Sequence, residues 1–150
     1  MIPRNHILLG LLFSFIFFLI SNSLAASLIV FFSSFLIDID HYFYGVYKKK
    51  TFSLGKIYSF FSEYKDKWRK LSYEQKKEVK FPVLIFHGFE FILIVFLLAL
   101  LSDVFLFVLI GSLFHMFMDF LDIFIEKAPP YVKASVLYVY FSNKNKKYLE

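Results

Sequence analysis

Four histidines, His6, His41, His87 and His115, lie at or inside apolar stretches, and none falls in the polar loop or tail where an incidental histidine sits most easily. Each keeps acidic company: Asp38 and Asp40 precede His41, Glu90 follows His87 by three residues, and Asp119 follows His115 by four. Separations of three and four put two side chains on one helical face, where they can share a metal ion or orient each other. Cysteine is absent, which excludes disulfides, thiolate zinc fingers and cysteine nucleophiles. Any transition metal must therefore be held by imidazole nitrogen and carboxylate oxygen. The sequence has no Gly-rich phosphate loop, no G-x-S-x-G and no internal repeat.

The elements that must position these residues are apolar. The 150 residues are 59% hydrophobic, with a mean hydropathy of +0.62 and with charges confined to a few blocks. Four apolar segments stand out, residues 7–20, 24–37, 81–101 and 103–125. The last two suffice for a hydrocarbon core of about 30 Å, which needs about 20 helical residues. The first two are short, and Ser21-Asn22-Ser23 between them reads as a tight hairpin turn. The chain thus reads as one all-α integral membrane domain over residues 1–150, with four transmembrane helices, a basic cytoplasmic insertion over 42–80 and a cytoplasmic tail over 126–150.

Charge placement supports that topology. With both termini inside, the inner segments 1–6, 38–80 and 126–150 hold 1, 11 and 5 of the 17 Lys and Arg residues, and the outer turns hold none. Cytoplasmic loops are enriched in these cations. The net charge of +5 is therefore a membrane-topology signal, with membrane lipids as the expected partners and no nucleic acid. Residues 1–25 also fit a secretory signal, with Ser23-Leu24-Ala25 before Ala26, and cleavage there would remove His6.

Within the insertion, Ile57, Phe61, Tyr64, Trp68 and Leu71 recur at helical spacing among Lys56, Lys65, Lys67, Arg69 and Lys70. This predicts an amphipathic cytoplasmic helix between membrane helices 2 and 3, lying in the headgroup region or capping the bundle. Ser72 and Gln75 resemble a capping box opening the next helix, expected to run through Pro82 into the membrane. Beyond Pro129-Pro130, residues 131–141 are apolar and aromatic, suited to a strand or a surface-lying helix.

Glu90, Asp119 and Asp122 fall inside apolar segments. An isolated acid at the bilayer centre costs ~2.5–3.5 kcal/mol on insertion scales, so such residues face partners, ions or water. Counting about 1.5 Å per helical residue puts His87 and Asp119 at one depth, close to where His6 and Asp38–His41 end the short first hairpin. Plainer roles exist for each: His6 as a polar flank, Asp40-His41 as a helix end meeting water, His87 and His115 as neutral histidines bonded to backbone carbonyls. Asp122 reads as a helix-packing acid or a support for its neighbours.

An early His, then Asp38-Ile39-Asp40-His41 closing the second apolar segment, a mid-chain His87 and finally His115-Met116-Phe117-Met118-Asp119 resemble the membrane-bound metal-dependent hydrolases. That family includes the inner-membrane-associated hydrolases described as LexA-binding, and it is distantly similar to the zinc-dependent phospholipase C group. The resemblance covers roughly residues 6–122 apart from the basic loop. The family's third motif, His-Arg-Gly-x-Thr-His-Ser, is here Phe86-His87-Gly88-Phe89-Glu90-Phe91, with one His where the family has two.

The resemblance implies His6, Asp38, His41, His87, His115 and Asp119 as ligands of a divalent metal, zinc or alternatively manganese. Asp40 and Glu90 would be the catalytic residues, bridging or supporting these ligands, with Glu90 the candidate general base. It further implies metal-assisted hydrolysis by a multi-pass protein of the inner or plasma membrane, a phosphoesterase acting on a lipid or lipid-linked substrate at the cytoplasmic leaflet. The alternatives are a metal-ion or proton carrier using the same residues, and a non-catalytic membrane anchor or assembly protein.

Overall fold

The computed structural model describes residues 3–149, with side chains from His6 onwards. Its elements are α1 (Pro3–Ser21), α2 (Leu24–Leu36), α3 (Ile39–Lys49), α4 (Leu54–Arg69), α5 (Tyr73–Glu78), α6 (Phe89–Ala99), α7 (Asp103–Ile125), α8 (Tyr131–Ala134) and α9 (Val136–Ser142), with 3-10 turns at Ile85–His87 and Asn143–Asn145. Among the described residues there is no strand beyond an isolated bridge between Val79 and Lys147. The expected all-helical architecture is present.

The α1–α2 hairpin turns where the sequence placed it. Asn22 takes a left-handed conformation (φ 50°), and Ser23 caps α2 by accepting the Ala26 N–H at 3.3 Å. Only Ile37 and Asp38 interrupt the run from α2 into α3, so helix continues well into what was expected to be a basic insertion. It stops at Lys50, which adopts φ 51°. The residues from Leu24 to Lys49 and those of α7 form two helices long and apolar enough to cross a membrane, while α1 and α6 contribute shorter apolar helices.

The third expected span, residues 81–101, is not one helix. The capping box at α5 forms, with Ser72 Oγ accepting from Gln75 N–H and Gln75 Oε1 from Ser72 N–H, but α5 ends at Glu78 instead of running through Pro82. Proline has no N–H to donate and disfavours helical geometry in the residue before it. The freed backbone groups pair with the tail. Lys80 N–H donates to the Lys147 carbonyl (2.7 Å), Phe81 N–H to Asn143 Oδ1 (3.0 Å), and the Asn143 amide to the Phe81 carbonyl (2.8 Å). Helix resumes only at Phe89, leaving α6 with 11 residues, about 16 Å at 1.5 Å per residue.

The bundle is apolar outside and buries many polar groups within, alongside an apolar core that includes Val30, Val95 and Leu109. α2 packs against α7 and α1, and α7 also packs against α6. Leu8, Leu12, Leu19, Leu97, Phe117 and Phe124 point outwards, Phe124 being 84% exposed, whereas Ser14, Ser27, Ser34, Ser112, His6, His115 and Asp119 are buried. A protein surrounded by water normally keeps exposed apolar patches to a few hundred Å². Small residues let the helices approach: a Cβ on Gly10 would overlap Ser34 Oγ, and one on Gly111 would overlap Ser33 Oγ and lie 2.5 Å from the Val30 carbonyl oxygen.

The predicted amphipathic helix is α4, whose buried Ile57 and Trp68 face the bundle. Its far end is clipped to the end of α7 and the residue beyond it. Lys65 Nζ lies 3.7 Å from Asp122 and 3.5 Å from Glu126, and an Arg69 guanidinium nitrogen lies 2.7 Å from Glu126 Oε1. Burial opposes the Glu126 charge, but the Arg69 hydrogen bond and Lys65 outweigh it and hold the carboxyl below its ordinary range. Asp122 thus braces α4.

The close α2–α7 contact gives a direct test. Gly111→Val is expected to destabilise the protein by about 1–3 kcal/mol through overpacking, read as a lower thermal midpoint. Gly55→Ala, whose added methyl meets nothing within 4 Å, is expected not to lower it.

Candidate metal centre

The cluster residues are delivered by four separate pieces of the fold. His6 comes from the first turns of α1, Asp38 and Asp40-His41 from the α2–α3 junction, His87 from the 3-10 turn before α6, and His115 and Asp119 from successive turns of one face of α7. Asp38 precedes α3 in the capping position but makes no capping bond with its side chain, which turns to the histidines instead. The unwound segment matters here. Because Pro82 and Gly88 bracket non-helical backbone, His87 is set on a turn that Asp40 Oδ2 anchors, accepting the Phe86 N–H at 3.0 Å.

At the centre, four atoms face one another: Asp38 Oδ1, His87 Nε2, His115 Nε2 and Asp119 Oδ2. The two nitrogens are 3.2 Å apart. Asp38 Oδ1 is 3.3 Å from His87 Nε2 and 3.8 Å from His115 Nε2, and Asp119 Oδ2 is 3.5 Å from each nitrogen. A tetrahedral cation about 2.0–2.1 Å from each donor would set the donors roughly 3.3–3.4 Å apart, and the separations among His87, His115 and Asp119 and between Asp38 and His87 lie near that spacing.

The outer face of each ring is already engaged. His115 Nδ1 lies 2.8 Å from the Ser34 carbonyl oxygen, and His87 Nδ1 lies 3.1 Å from Asp40 Oδ2. Assigning each ring's proton to Nδ1, where an acceptor waits, leaves both Nε2 lone pairs aimed at each other. Two lone pairs at that separation repel unless a cation or proton lies between them. Supporting acceptors of this kind fix tautomer and orientation in histidine metal sites. Asp40 thus serves as the group that positions His87.

His41 and His6 flank the tetrad. His41 Nδ1 is 3.2 Å from Asp40 Oδ1 and 3.4 Å from Asp38 Oδ1, and neither His41 Nδ1 nor Asp40 Oδ1, both buried, has a hydrogen-bond partner among the described residues. Three overlapping groups could each hold a metal ion: His6, Asp38 and His115; Asp38, His41 and His87; and His87, His115 and Asp119. His6 stacks on His115 with ring centroids 4.3 Å apart, and its Nε2 is 3.4 Å from Asp119 Oδ1. The six residues expected as metal ligands are therefore gathered into one connected cluster.

Glu90 is not brought into it. Ser135 Oγ donates to Glu90 Oε1 at 2.6 Å, Leu137 N–H to the same oxygen at 3.2 Å, and Val136 N–H to Oε2 at 3.1 Å. The carboxylate closes the start of α9 and ties the tail to α6, and no ion pair or hydrogen bond among the described residues joins it to the histidines. The carboxylate expected to act as general base is thus engaged by the start of α9.

Lys133 is the residue the sequence did not single out. Its ammonium pairs with Asp119 Oδ1. The available signal was its position as the only charged side chain between Pro130 and Phe141. Among the described residues, with the histidines neutral, Asp38, Asp40 and Asp119 against Lys133 sum to a charge of −2 in a largely water-excluded site. A cavity of about 470 Å³ runs from Asp38 and His41 beneath α4, past Phe61, Trp68 and Leu84, to Val132 and Lys133.

No family model, curated protein or solved structure matches this chain.

His115→Ala combined with Asp119→Ala is expected to abolish binding of zinc and manganese by the purified protein, read by elemental analysis after dialysis against metal. Asp40→Asn, which removes only a supporting carboxylate, is expected to weaken binding by about 10–100-fold. If protonated imidazoles balance the cluster instead, the wild-type protein takes up no metal. Glu90→Ala is expected to keep metal content but to accelerate hydrogen exchange across Val136–Ser142 by about tenfold or more, as loss of charge-assisted bonds worth about 1.5–3 kcal/mol requires.

Proposed function

We propose that this chain is a multi-pass membrane hydrolase that depends on a divalent metal, a phosphoesterase acting on a lipid or lipid-linked substrate at the cytoplasmic leaflet. The observation that carries the proposal is the convergence of Asp38 Oδ1, His87 Nε2, His115 Nε2 and Asp119 Oδ2 at coordination-shell separations beside a cavity. The His-and-carboxylate donor set suits zinc, with manganese the alternative. The sequence resemblance to membrane-bound metal-dependent hydrolases points the same way.

Membrane insertion with four crossings and both termini inside is supported by the outward apolar side chains and by the confinement of Lys and Arg to the inner segments. The third crossing then combines α6 with residues 79–88, which form no α-helix. Irregular backbone at membrane depth is tolerated where it lines a cavity or is buried in protein, and Phe81, Pro82 and Leu84 line the cavity here.

A divalent ion held by the tetrad supplies Lewis acidity towards a phosphoryl oxygen and lowers the pKa of water towards about 7. The chain's own groups divide the remaining tasks. Asp40 and the Ser34 carbonyl hold His87 and His115 in the donor tautomer. Lys133 offsets the charge of Asp119. His41 lines the cavity with Asp40 Oδ1 beside its Nδ1, which makes it the group placed to accept or return a proton at the substrate.

In nanodiscs, the metal-loaded protein is expected to release phosphate or headgroup from at least one class of anionic phospholipid or lipid-linked phosphoester. Chelation should abolish the release and added metal restore it, while His87→Ala should lower it by at least about a hundredfold. Metal-loaded protein inert towards both phosphomonoester and phosphodiester lipids would contradict the hydrolase assignment. Metal flux across sealed vesicles that requires His87 would instead establish a carrier.

A further inference from the structure

The cavity under α4 has a form that the hydrolase proposal does not require. Its wall is mostly hydrocarbon, its mouth carries the exposed apolar side chains Leu54 and Tyr58, and its polar end is formed by Asp38 and His41 of the metal cluster. At about 470 Å³ it falls within the roughly 300–1,000 Å³ of small-molecule sites. The charges along its far rim are largely spent on one another, since Lys65 and Arg69 pair with Asp122 and Glu126, and Lys133 with Asp119. The rim therefore offers little net attraction to an anion, and Asp38 at the polar end repels one.

We propose that this cleft is the substrate's chain-binding site: it takes the hydrocarbon portion of a phosphate amphiphile out of the bilayer and lays its phosphate end at Asp38 and His41. The chain is recognised by Ile57, Phe61, Trp68, Leu84 and Val132, independently of any metal. The phosphate is recognised only through a cation at the tetrad, because the carboxylates there would otherwise exclude it; this half rests on the hydrolase proposal. α4 is then the roof of a substrate channel, and its amphipathic pattern is explained by an apolar face that lines a ligand site. An amphiphile whose chain stays in the lipid would need no such roof.

Trp68 is the sole tryptophan of the chain, is 6% exposed and lines the cleft, so it reports on occupancy directly. Full-length protein in nanodiscs is titrated with a chain-brominated alkyl phosphate, with an alkyl trimethylammonium of the same brominated chain as the headgroup control. The expected result is saturable quenching of Trp68, reversed by the unbrominated alkyl phosphate. Val132→Phe, which fills the cleft, and Tyr58→Asp, which charges its exposed mouth without touching the core, should each weaken binding by at least about tenfold. Chelator-treated protein should still bind the chain but lose its preference for phosphate over ammonium. Quenching that rises without saturation, or that neither variant changes, would overturn the chain site. Saturable quenching with no headgroup preference in metal-loaded protein would overturn the phosphate half and the hydrolase proposal with it, while leaving the chain site standing.

Discussion

Carboxylates and imidazoles withdrawn from water must find compensating partners, and that constraint organises the whole bundle. Desolvating a charged group costs several kcal/mol unless opposite charge or hydrogen bonds replace the lost hydration. Asp119 and Asp40 are buried, and His6, His87 and His115 are almost wholly shielded. Among the described residues, each helix that reaches the cluster presents a polar group to it: α1 offers His6, α2 the Ser34 carbonyl, α3 Asp40 and His41, α7 His115 and Asp119, and α8 Lys133. The small residues at the α1–α2 and α2–α7 contacts let the backbones close around these groups.

The same constraint explains the irregular elements. A straight helix through residues 81–101 would carry His87 on a wheel shared with its outward-facing apolar neighbours. Broken at Pro82 and Gly88, the segment instead sets His87 on a turn that Asp40 grips at two points, the ring nitrogen and the Phe86 N–H. The backbone groups released by the break are taken up by Asn143 and Lys147 of the tail. The tail is in turn secured by Glu90 at the start of α9 and carries Lys133 into the cluster. Unwinding, tail docking and charge neutralisation are thus mutually dependent parts of one solution.

Much of this was legible in the residues. Ionisable side chains inside apolar stretches marked His6, His87, His115 and Asp119, because hydrocarbon leaves such groups no bland location, and the i,i+4 spacing of His115 and Asp119 placed them on one face of α7. The hairpin at Asn22, the capping box at Ser72 and the amphipathic pattern of α4 were local signals, and each appears where its residues stand. What escaped was non-local. The helix was expected to run through Pro82, and nothing local showed that it would break there or that residues some 60 positions away would satisfy the freed backbone. Glu90 beside His87 looked like a member of the site, yet three donors at the start of α9, 45 to 47 residues downstream, claim its carboxylate. Lys133 lay in an apolar tail whose docking no periodicity foretold.

His87, His115, Asp38 and Asp119 are placed so that their nitrogens and oxygens could hold a cation. X-ray absorption at the metal edge of the purified, zinc-loaded protein reads that first shell. The structure predicts a mixed nitrogen and oxygen first shell at about 2.0–2.1 Å with imidazole outer-shell scattering, losing that scattering when His87 and His115 are both replaced by alanine. A spectrum of hexahydrated or adventitiously bound metal, unchanged by those replacements, would contradict it.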